Sequence, residues 1–121
     1  LDPINAIVNP QAKGPGTTNG LPAASEGQRY LFINDTGRDS VDDPGFAEAW
    51  RGTDGSTLVA NTNDIVQYDG VRWNIAFDSS NESTVQYVTN LTTSVQYRWA
   101  DNQWLKSYEG LYPEGEWSIV L

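Results

Sequence analysis

The stretch Ile65-Val66-Gln67-Tyr68-Asp69-Gly70-Val71-Arg72-Trp73-Asn74-Ile75-Ala76-Phe77 decides the fold class of this chain. Two runs rich in β-branched and aromatic residues flank Asp69-Gly70, a strong short-range signal for a β-hairpin. A type I′ turn needs positive φ at both central residues, which an Asp-Gly pair tolerates. The second run alternates. Val71, Trp73, Ile75 and Phe77 are expected on one face and Arg72, Asn74 and Ala76 on the other, as in a half-buried strand.

Working outward, Val-Gln-Tyr occurs at 66–68, 85–87 and 95–97. Two copies lead through an Asp-Gly or Asp-Asn turn to a tryptophan, Trp73 or Trp104, which reads as two related hairpins with an added strand between them. Thr84–Val88 turns near Asn90, Ser94–Trp99 follows, and Asp101-Asn102 leads into Gln103–Tyr108. Gly110, Pro113 and Gly115 mark a break before Trp117–Leu121, where Trp117, Ile119 and Leu121 share a face. Upstream, Arg29–Asn34 holds four consecutive apolar residues, which predicts burial on both faces. Asp35-Thr36-Gly37 ends that strand. Phe46–Trp50 is expected to be a single helical turn or irregular, and Thr57–Ala60 a short strand. The expected fold is all-β: an antiparallel meander from about 64 to 108, joined by strands near 30 and 117, forming a small sandwich or partly closed barrel.

Residues 1–27 differ from the rest. Pro3, Pro10, Pro15 and Pro22, with Gly14, Gly16, Gly20 and Gly27, oppose regular structure. The division expected is therefore an extended Pro/Gly-rich arm or linker over 1–27 and a single β domain over 28–121. As an arm it would lie on a neighbouring subunit, anchored by Ile4, Ile7 and Val8. Deleting 1–27 is then expected to leave the domain folded and weaken association.

The chain has 121 residues, which fits one domain, and a formal net charge of −9 from 7 basic and 16 acidic residues. Nucleic acid and anionic membranes are not expected partners, since both need a basic footprint. No apolar run approaches the ~20 residues that span a bilayer. A chain that opens on Leu1 and holds no Met is expected to be a fragment or a processed piece of a longer polypeptide.

Without His or Cys, this chain alone cannot build a Ser-His-Asp triad, a Cys nucleophile or a His-ligated zinc site. Glycosidase chemistry needs only two facing carboxylates, and Asp39, Asp42, Asp43, Asp54 and Asp78 are candidates. Their Gly, Ser and Pro neighbours favour turn duty instead. Asp39, Asp42 and Asp43 form a weak calcium candidate, because hard cations take clustered oxygens, but the spacing is not that of an EF-hand. No cofactor is expected. The Asn-x-Ser/Thr sequons at Asn34, Asn81 and Asn90 are explained by an Asn-, Ser- and Thr-rich composition. Of the five tryptophans, Trp73 and Trp117 are expected in the core. Trp50, Trp99 and Trp104 are candidates either for core or for an exposed platform that stacks sugar rings.

Residues 26–121 resemble hairpin modules in structural proteins of tailed bacteriophages, especially tail, baseplate and fibre-associated components. The resemblance is carried by Glu26-Gly27-Gln28-Arg29-Tyr30-Leu31, by Asp64-Ile65-Val66-Gln67-Tyr68-Asp69-Gly70-Val71-Arg72-Trp73, and by Tyr97-Arg98-Trp99 with Asp101-Asn102-Gln103-Trp104. It implies a non-enzymatic structural or interaction module of a virion assembly, tail, baseplate or capsid-associated. Its location would be the virion or the extracellular space, its partners protein subunits of the same assembly, this chain among them. The alternative is a carbohydrate- or receptor-binding module working through exposed aromatics. A small glycoside-acting enzyme ranks last. The resemblance carries over no catalytic residue.

Overall fold

The computed structural model describes residues 1–16, 20–37, 49–107 and 116–117. The described residues form eight strands: β1 (Ala6–Val8), β2 (Arg29–Phe32), β3 (Ile65–Tyr68), β4 (Trp73–Phe77), β5 (Gln86–Asn90), β6 (Val95–Ala100), β7 (Gln103–Ser107) and β8 (Glu116–Trp117). They build two four-stranded sheets, ordered β1-β2-β3-β4 and β5-β6-β7-β8. All neighbours are antiparallel except β1, which runs parallel to β2.

The first sheet is buried on both faces, as four apolar residues in a row predict. On one face Leu31, Ile65 and Phe77 meet Val88, Tyr97, Trp99 and Trp104 of the second sheet, with Ile4 among them. On the other face Val8, Tyr30, Phe32, Val66, Tyr68 and Trp73 are covered by Trp50, Leu58 and Ala60. The architecture is thus a sandwich, and the sheets do not close into a barrel. Thr57–Ala60 is extended but not a strand: Leu58 and Ala60 point in, Val59 points out, and only Ala60 bridges, to Thr36. Gly37 makes that approach possible. Its φ is +76° and a Cβ there would sit 1.7 Å from the Leu58 carbonyl oxygen.

Four sequence expectations are corrected. First, the meander is not continuous. β3–β4 belongs to one sheet and β5–β6–β7 to the other, with the crossover pinned where the Trp99 indole donates to the Glu82 carbonyl at 3.0 Å. Second, the alternation along β4 breaks. Ile65 pairs with Phe77 but Val66 with Ile75, so Ala76 is the extra residue of a β-bulge. The bulge turns Phe77 to the face opposite Trp73, and Val71 and Ile75 stay 45% and 38% exposed. Third, the Asp69-Gly70 turn is not type I′. Asp69 N donates to the Arg72 carbonyl, so Gly70 (φ +99°) and Val71 are its central residues. Asp69 Oδ1 accepts from Val71 N and Arg72 N at 2.8 and 2.9 Å instead. Asp101-Asn102, with φ of 52° and 60°, has the positive φ at both centres that type I′ demands.

Fourth, Ile4, Ile7 and Val8 serve the protein's own fold. Ile4 is fully buried between the sheets, Val8 lies in the second cluster, and Ile7 packs against the first. Ile4 N donates to the Thr89 carbonyl and Leu91 N to the Ile4 carbonyl, at 2.9 and 2.8 Å. One short segment therefore pairs with β5 through Ile4 and with β2 through Ala6–Val8. The Phe46–Trp50 turn, the acidic loop around Asp39, the break at Gly110–Gly115 and residues 118–121 lie largely or wholly outside the described residues; of these only Ala49 and Trp50 are described.

Replacing Ile4 with alanine leaves a cavity between the sheets and should destabilise the protein by about 2–5 kcal/mol. Urea unfolding followed by tryptophan fluorescence measures it. For the same reason, deletion of 1–27 should unfold the domain rather than spare it. Asn102→Gly relieves the left-handed conformation at the second turn and should stabilise by about 0.5–1 kcal/mol in the same assay.

Candidate functional site

The aromatic platform has no exposed face. Trp50, Trp99 and Trp104 are 0%, 2% and 1% exposed. Trp50 sets its edge against Tyr30, Phe32 and Trp73 with ring centroids 4.8–5.9 Å apart. Phe77, Trp99 and Trp104 form a triangle with sides of 5.0–5.3 Å. The Trp104 indole donates to the Asn63 carbonyl at 3.0 Å, tying the second sheet to the loop before β3. Such rings stabilise through buried area and edge contacts, and a sugar cannot reach them. They pack inward because a small sheet with few large aliphatic residues fills its interior with rings. Tyr87, on the outer face of β5, is exposed.

Asp54, Asp69, Asp78 and Glu82 close turns. Asp54 accepts from Ser56 N, and Asp78 from Ser80 N, Ser80 Oγ and Asn81 Nδ2. Glu82 accepts from Thr84 N and Oγ1. Side-chain hydrogen bonds come first in lowering the pKa of Asp54, Asp78 and Glu82, and backbone hydrogen bonds in lowering that of Asp69. Asp64 is buried and takes Asn61 N at 2.9 Å, Ser79 N at 2.9 Å and Ser79 Oγ at 2.6 Å, which joins the loop before β3 to the exit of β4. Among the described residues no group of three or more acidic side chains is placed to hold a metal ion. The calcium candidate Asp39, Asp42 and Asp43 lies outside the described residues.

The best-developed recognition geometry is the groove that residues 1–8 fill. Its walls are the β2 edge of one sheet and the β5 edge of the other. Backbone bonds run along its length: Leu1 N to the Tyr87 carbonyl (2.9 Å), Ile4 to both Thr89 and Leu91, and Asn5 N to the Arg29 carbonyl (2.8 Å). Asn5 also turns its Oδ1 to Arg29 N at 2.9 Å, and Thr92 Oγ1 donates to the Asn5 carbonyl. The floor is apolar, with Ile4 between the sheets. The end beside Asn5 is polar. There the buried Arg29 guanidinium donates from Nη1 to Gln67 Oε1 at 2.5 Å. Burial lowers the Arg29 pKa, and the Asp2 carboxylate opposes that shift. Sequence reasoning found the apolar anchors of this segment but missed Asn5 and Arg29. Arg29 heads a strand otherwise apolar, yet nothing in the pattern identifies Asn5 as its partner.

No protein-family model, curated protein or solved structure matches this chain.

The turn carboxylates make stability depend on acid. Their folded pKa values lie below the ordinary 3.8 of Asp and 4.5 of Glu. A depressed carboxylate contributes stability above its unfolded pKa and loses it as pH falls through the folded value. The urea midpoint should therefore fall as pH drops from about 4 toward 2, while above about pH 5.5 the contribution of these groups is complete and no longer varies with pH. Asp69→Asn keeps an acceptor at the turn without the titration and should flatten that acid limb.

Proposed function

We propose that this chain is a non-enzymatic structural or interaction module of a multi-subunit assembly, of the virion kind that its sequence resembles. The observation that carries this reading is the groove across both sheet edges, occupied by a short extended segment. Strand addition through backbone hydrogen bonds, with side chains in alternate pockets, is a recurrent chemistry of protein–protein recognition. A virion or extracellular location and assembly partners belong to the same proposal. The surface supports it further: Val71 in the turn before β4, Ile75 on β4, and Val85, Tyr87 and Leu91 around β5 are exposed apolar side chains. Trp50, Trp99 and Trp104, which the glycan-binding alternative requires, are used in packing, and of the glycosidase candidates Asp54 and Asp78 are used in turns.

Sedimentation velocity of the full chain over a wide concentration range tests this reading. Reversible, concentration-dependent association is expected. A strict monomer throughout, together with a saturable tryptophan-fluorescence change on titration with surface polysaccharides, would replace it by the glycan-binding alternative.

A further inference from the structure

We infer that the groove filled by residues 1–8 also accepts residues 1–8 of a second copy, so that two chains exchange these strands reciprocally. This rests on the assembly reading above and names its partner and contact.

The exchange follows from four features of the segment. Its partners are remote in sequence: Ala6–Val8 pair with residues 30–32, and Ile4 bonds to residues 89 and 91. None of these contacts depends on belonging to the same chain. The pairing with β2 is parallel, so a long crossover must return the chain, and residues 9–28 provide it. That crossover contains Pro10, Pro15 and Pro22 and starts with a turn at Asn9, whose carbonyl accepts from Ala12 N and Lys13 N. A change of direction there re-aims residues 1–8 without altering β2 to β7.

Ile4 then decides what happens after release. It is fully buried among Leu31, Phe77, Val88 and Trp99 of both sheets. A vacated groove exposes an apolar floor and the unpaired backbone edges of β2 and β5, so it must be refilled. The segment that fits it best is the same one from another copy. The bonds formed in the exchanged pair equal those lost, and concentration alone shifts the balance. Reciprocal exchange gives a closed twofold dimer. Asn5 and Arg29 fix the register, because a shift by one residue would turn Ile4 outward and separate Asn5 Oδ1 from Arg29 N.

The test uses the full chain, which has no native cysteine. Leu1 and Tyr87 are both exposed and adjacent, with Leu1 N bonded to the Tyr87 carbonyl. The double variant Leu1→Cys/Tyr87→Cys is incubated at rising concentration, oxidised, and mapped by peptide analysis. A mixture of the two single variants is treated alongside it. Expected is an intrachain 1–87 disulfide at low concentration. Over about two decades of concentration it should give way to a dimer joined by two 1–87 disulfides, and the mixture should yield a 1–87 heterodimer. Only intrachain disulfide at every concentration, with no 1–87 heterodimer in the mixture, overturns the exchange. If that result comes with association of the wild-type chain in sedimentation, the assembly reading stands and the exchange alone fails. If it comes with a strict monomer, both self-association and exchange fail.

Discussion

Ile4 joins the two sheets of this protein. Its side chain is buried where the sheets face each other, while its backbone pairs with β5 and the next residues pair with β2. The shared segment makes both sheets parts of one hydrogen-bonded unit. It also covers two edges, which would otherwise offer unpaired N–H and C=O groups to other chains.

The aromatic clusters sit on either side of that constraint. The first sheet separates a cluster around Trp50 and Trp73 from one around Trp99 and Trp104. One is roofed by the loop that carries Leu58 and Ala60, the other by the second sheet. The β4 bulge makes this division possible: a regular strand would send Trp73 and Phe77 to the same side, while the extra residue Ala76 sends each to its own cluster. The polar groups obey the same economy. Asp64 with Ser79, Asn5 with the Arg29 backbone, and the indoles of Trp99 and Trp104 each tie one segment to another that is remote in sequence. A buried polar group needs a partner, and for these four the partners lie in the connections or the N-terminal segment.

Among the described residues, the rings of the two clusters are engaged in packing, and Asp54, Asp64, Asp69, Asp78 and Glu82 in closing turns and connections. The side chains of Val71, Ile75, Val85, Tyr87 and Leu91 remain exposed.

The sequence by itself determined the all-β class, the strands near 30 and between 65 and 107, the double-sided burial of Tyr30–Phe32 and the turn duty of Asp54 and Asp78, though not the strand expected at Thr57–Ala60. These depend on local periodicity and turn chemistry, which act over a few residues. The tertiary structure decided the rest. The three Val-Gln-Tyr copies look alike, yet Tyr68 and Tyr97 are buried and Tyr87 is exposed, because burial depends on what each face meets: the segment with Trp50, Leu58 and Ala60 for Tyr68, the opposite sheet for Tyr97, and solvent for Tyr87. The 1–8 segment reads as an arm because prolines and glycines surround it. It folds inward because β2 and β5 together form a groove that neither strand's sequence encodes alone. Contacts that join residues more than 80 positions apart leave no periodic trace, and only the packed chain can reveal them.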